Sequence, residues 1–117
     1  MAEDDEGQRK PGGIAPAEPI LASRLVQYAE GAIVSRTLVD REQGTLTVFA
    51  FDAGQGLSEH TTPFDAHVLG LDGEADLVIG GQTVPVCAGQ MVLMPADVPH
   101  AVKARTQFRM MLVMIRA

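Results

Sequence analysis

From Gly31 onward, short runs of apolar and β-branched residues alternate with clusters of turn residues every 8–12 positions or so, the spacing of a sandwich or barrel. The runs are Ala32–Val39, Thr45–Phe51, Ala66–Leu71, Ala75–Ile79, Gln82–Cys87, Met91–Met94, His100–Ala104 and Gln107–Ile115. Each predicts a strand, so the pattern predicts an all-β domain. Gly80-Gly81, between two of these runs, predicts a tight hairpin, because both central positions of such a turn need φ > 0.

Before Gly31 the texture differs. From Ile20 to Glu30 the apolar residues Leu21, Leu25, Val26 and Tyr28 fit one side of a short helix, and Gly31 sits where a helix would stop. Residues 1–19, with three prolines, three glycines and the acidic run Glu3-Asp-Asp-Glu6, bury too little to offset their ordering entropy and are expected to form a flexible tail. The expected division is therefore a tail over 1–19 and a barrel domain over 20–117.

The last run is apolar on both faces. Phe108, Met110, Leu112 and Met114 point one way, and Met111, Val113 and Ile115 the other. A strand of this kind is covered on both sides, and in so small a domain the second cover is expected to be another copy of the chain in a homodimer.

Composition narrows the partners. Fifteen acidic residues against nine basic ones give a net charge of −6, which repels phosphate backbones, and 4% aromatic residues offer little stacking surface. Nucleic acid is not expected as a partner. No apolar stretch approaches the ~18 residues that cross a bilayer, and the acidic start does not resemble a secretory signal. A single cysteine, Cys87, fits a reducing, cytoplasmic setting, and its apolar run predicts a buried, inert thiol.

The chemistry centres on histidine. Residues two apart on a strand share a face, so a pattern His-x-His delivers two imidazoles into one cavity, to be joined by a carboxylate and a histidine from other strands. The motif G-x5-H-x-H-x3/4-E-x6-G is met at its spacings by Gly54, His60, Thr62, Ala66 and Gly73. A second motif, G-x5-P-x-G-x2-H-x3-N, is met by Gly89, Pro95, Asp97, His100 and Ala104. Through these residues the chain resembles the cupins, in particular the small single-domain cupins of bacteria and archaea, from about Ala32 to Ile115.

The resemblance implies a cupin-type double-stranded β-helix, a jelly-roll barrel, here with a short N-terminal helix before it. It also implies a divalent metal (iron, manganese, nickel or zinc) held by three histidines and a glutamate. Of that set only His60 and His100 are present, since Thr62 and Ala66 replace the second histidine and the glutamate. A strand one residue out of this register would turn Asp65 and His67 inward as alternative ligands. Thr62, Phe64 and Ala66 are expected to line the pocket. Cupins host isomerases, dioxygenases, epimerases and binding proteins, so the fold does not name an activity. Two expectations follow: a barrel that binds a divalent metal, a small molecule or both, and a metal-free binding or structural barrel without catalysis.

Overall fold

The computed structural model describes residues 13–116. Among them are nine strands: β1 (Ile33–Arg41), β2 (Gly44–Phe51), β3 (Gly56–His60), β4 (Phe64–Asp72), β5 (Glu74–Ile79), β6 (Gln82–Cys87), β7 (Met91–Met94), β8 (His100–Ala104) and β9 (Phe108–Arg116). They form two antiparallel sheets, ordered β1-β2-β9-β4-β7 and β3-β8-β5-β6. This is the expected jelly roll. Gly80 and Gly81 turn β5 into β6 with φ of 57° and 81°, and Ile79 pairs with Gln82 across the turn.

The inner faces follow from the period of two. On β8, His100, Val102 and Ala104 are buried, while Ala101 and Lys103 are more open. On β4, Ala66 and Val68 belong to the core that also holds Phe51, Leu77, Val86, Met94, Phe108 and Met110. Phe51 pairs with Phe108 in one sheet and Ala75 with Ala104 in the other, and all four lie in this cluster.

Two elements differ from the sequence reading. The stretch before Ala66 contains a strand, β3, because Gly56, Leu57 and His60 pair with Lys103, Val102 and His100 on β8. The helix over Ile20–Glu30 is replaced by one 3-10 turn, Ala22–Arg24. Leu21 and Leu25, four apart and so on one face of a helix, differ sharply, Leu25 being buried and Leu21 exposed. Tertiary contacts also claim the backbone: Arg36 donates from Nη1 to the Leu25 carbonyl (3.3 Å) and Arg109 from Nε to that of Val26 (3.0 Å). A carbonyl engaged in this way gives a helix less reason to form.

The segment instead lies on the outer face of the five-stranded sheet, where Leu25, Val26, Leu38, Val48 and Ala50 form a second core with Tyr28 and Met111 packed against it. Met111 on β9 thus gains part of its cover from the chain's own N-terminal side. Of the expected tail, residues 1–12 lie outside the described residues. Gly13, within the described part, accepts a bond from Arg36 Nη2 at 3.2 Å. No helix among the described residues is long and apolar enough to cross a membrane.

Candidate functional site

The inner residues of the strands change character along the barrel. On β2 they run Thr45, Thr47, Phe49, Phe51, and on β8 they run His100, Val102, Ala104. The apolar ends of both series lie where β8 hands over to β9, with Phe51 paired to Phe108. The polar ends therefore share the opposite end, the mouth. Thr45, on the inner side of β2, has a buried hydroxyl with no hydrogen-bond partner. Its signal in the sequence is the succession Thr, Thr, Phe, Phe at alternate positions of β2.

His60 and His100 occupy this polar end as directly opposed residues of β3 and β8. Opposed residues in an antiparallel pair share a face, and the two rings meet edge to face with centroids 4.4 Å apart. His100 is 3% exposed, whereas His60 is open to solvent. Each ring is held through Nδ1 by a carbonyl two residues earlier, His60 by Ser58 (2.8 Å) and His100 by Val98 (3.2 Å).

A carbonyl only accepts, so each Nδ1 carries a proton, and in the neutral form of the ring the lone pair lies on Nε2. Neither Nε2 has a hydrogen-bond partner among the described residues. Burial pushes the His100 imidazole below its usual titration range; the Val98 carbonyl opposes this and the neighbouring His60 adds to it.

The other expected positions are distributed as the motif register requires. Ala66 faces inward opposite Met94 and Met114. Asp65 and His67 fall on the outer face of β4, which removes the slipped register and both residues from the histidine pair. Asp65 accepts from the Ala96 amide at 2.9 Å, and His67 stands between Leu93 and Val113 with its Nδ1 buried and unpartnered. Thr62 Oγ1 accepts from the Phe64 amide at 2.8 Å, and the Thr62 carbonyl accepts from Asp97. Thr62 thus shapes the turn from one sheet to the other, and Phe64 shares the inward parity of Ala66.

Cys87 is exposed, contrary to expectation. On β6 the buried position is Val86, so the alternation turns Cys87 outward, where its Sγ meets Gln90 Oε1 at 3.2 Å.

The donor set can be set against the metal that the two motifs imply. Among the described residues no group of three or more His, Cys, Asp or Glu side chains is placed to hold an ion. Two imidazoles remain, beside a hydroxyl already engaged by an amide and a methyl group. Catalytic zinc usually has three protein ligands, so these residues do not fit a resident metal of that kind.

A family model described as Cupin domain matches residues 47–116. No curated protein matches the chain. Among solved structures, a conserved protein of unknown function from Streptococcus pyogenes is 37% identical, with 90% of this chain and 92% of that chain covered and a TM-score of 0.86. A cupin 2 conserved barrel domain protein from Leptotrichia buccalis is 38% identical over 80% of this chain and 45% of that one, with a TM-score of 0.77. A cupin superfamily protein from Desulfitobacterium hafniense shares the fold at 24% identity and a TM-score of 0.83, over 94% of this chain and 99% of that chain. With the family match spanning more than half of the sequence, and with both sheets and the motif histidines in place, the chain belongs to the cupin family.

Proposed function

We propose that the protein is a small-molecule-binding cupin whose ligand is anchored on His60 and His100 at the mouth of the barrel, without a resident metal. The observation that supports this is the pair of adjoining imidazoles, each bound to a carbonyl through Nδ1, with a threonine turn and an alanine at the positions where the motifs place metal ligands. Binding sites of this kind combine apolar walls with a few convergent polar groups, and the barrel interior supplies both.

Metal content is the deciding experiment. Protein dialysed against a chelator and re-exposed to iron, manganese, nickel or zinc is expected to retain no stoichiometric ion. The double variant Thr62→His, Ala66→Glu is expected to gain tight binding through two added inward ligands. Stoichiometric metal in the native protein that disappears in His60→Ala, His100→Ala would overturn the reading in favour of a metal-binding barrel.

We further propose that the protein is a homodimer. The support is the outer face of the five-stranded sheet, where Val39, Met91, Leu93 and Ile115 are 39–63% exposed beside the area covered by the N-terminal segment.

A further inference from the structure

We infer that this barrel selects ligands that donate hydrogen bonds, neutral molecules with two neighbouring hydroxyl groups, over carboxylates. The inference deepens the reading of the site as a metal-free binding barrel and rests on it. A metal ion in a barrel is an electrophile and draws oxygen anions to itself. The two motif histidines present the opposite character. With each Nδ1–H given to a carbonyl, the groups that the neutral rings offer to a ligand are two Nε2 lone pairs, on rings whose centroids are 4.4 Å apart. Lone pairs attract donors and repel anionic oxygens.

Desolvation sharpens the preference. His100 is 3% exposed, so a carboxylate seated against it would lose water and meet no donor there, whereas a hydroxyl exchanges its water for Nε2. Thr45 has a buried, unpartnered hydroxyl on the inner side of β2. On the inner face of the sheet that carries Thr45, Ala66 lies in the apolar core with Leu112 and Met114 packed against it. A cation stands at the end of β9 in Arg116, opposite Phe64, but it is exposed, where its pull on an anion is screened.

The test uses three probes with one carbon ring: cis-1,2-cyclohexanediol, cyclohexanone and cyclohexanecarboxylate. Each is titrated into chelator-treated protein at pH about 8, where ordinary imidazole is neutral. Binding is followed through the imidazole nitrogen resonances. The diol is expected to move the Nε2 resonances of both His60 and His100 and to bind about ten-fold more tightly than the other two, the difference made by one good hydrogen bond. His60→Leu, at an exposed position, is expected to lower the diol's affinity about ten-fold, whereas Leu93→Arg on the outer face leaves it unchanged. If the carboxylate or ketone equals or exceeds the diol at these two rings, the ligand class is overturned while the binding barrel stands. If no probe perturbs either ring, both are overturned. A carboxylate preference that appears only after zinc is added overturns the ligand class together with the metal-free reading.

Discussion

Single residues carry the departures from the cupin pattern, and each has a physical reading. The glycine expected in the second motif is Asp97, and its φ is +64°, so the backbone keeps the left-handed conformation although the residue has changed. Aspartate tolerates that region better than most side chains. Asp97→Gly is therefore expected to change stability by less than about 1 kcal/mol, whereas Asp97→Val should cost about 1–2 kcal/mol, both read from urea midpoints. Equal effects of the two would show that side-chain contacts rather than φ govern the site.

His100 makes a prediction of a different kind. Its imidazole titrates below the ordinary range, mainly through burial, so the folded protein resists the proton that the unfolded chain accepts. Its contribution to stability is fully present above the unfolded value and falls away as pH drops through the unfolded and then the folded value. Unfolding free energy measured from pH 8 down to 5 should decline, and His100→Gln should flatten part of that decline. An unchanged slope in the variant would assign the pH dependence to other groups.

At the scale of elements, what could be read in the sequence was what repeats. Apolar runs between turn clusters mark eight of the nine strands, and the motif spacing to Gly73 puts Ala66 inward and His67 outward. β3 escaped because Gly56-Leu-Ser-Glu-His60 has one large apolar residue, and it lies at the edge of its sheet, where most of its side chains meet water. The N-terminal segment departs from expectation for the converse reason: its apolar spacing suits a helix, but distant partners set its shape. Arg109 holds it by donating to the Val26 carbonyl and to Asp72 (3.1 Å), and its guanidinium lies 4.1 Å from the centre of the Tyr28 ring. Tyr28 in turn donates to Asp72 at 2.6 Å, and burial, followed by that carboxylate, pushes its hydroxyl pKa up. Arg109→Ala should cost about 2 kcal/mol, because several charge-assisted contacts fail together, and should speed amide exchange around Val26 before it does so in β8. Uniform exchange changes across the chain would mean that the segment is part of the global folding unit.

For the molecule as a whole, the fold was more legible than the site. Motif glycines and turns report backbone geometry, which is local; the pairing of His60 with His100 depends on strands that meet only in the folded barrel. Thr62 and Ala66 mark missing ligands, and the motif spacing predicts one cavity for His60 and His100, but not which nitrogen each ring commits to a carbonyl. Association belongs to this scale too. The native protein is expected to sediment as a dimer at tens of micromolar, and Leu93→Arg, on the same outer face, to shift it toward monomer by placing a charge against apolar surface. A native monomer at that concentration would overturn the dimer.

The clasp around Arg109 has a consequence for how the chain reaches this state. The bond from Arg109 to Val26 spans 83 positions, and that from Tyr28 to Asp72 spans 44. The segment made early in synthesis therefore waits for the last strand before it finds its seat. Until β9 has entered between β2 and β4, the outer sheet face lacks Met111 and the bond from Arg109, and Leu25 and Val26 have only β1 and β2 to pack against. Long-range closure of this kind is slow, and a nascent chain holds its apolar surface uncovered in the meantime. The order of assembly runs against the order of translation, and the vulnerable interval ends with the arrival of the C-terminal strand.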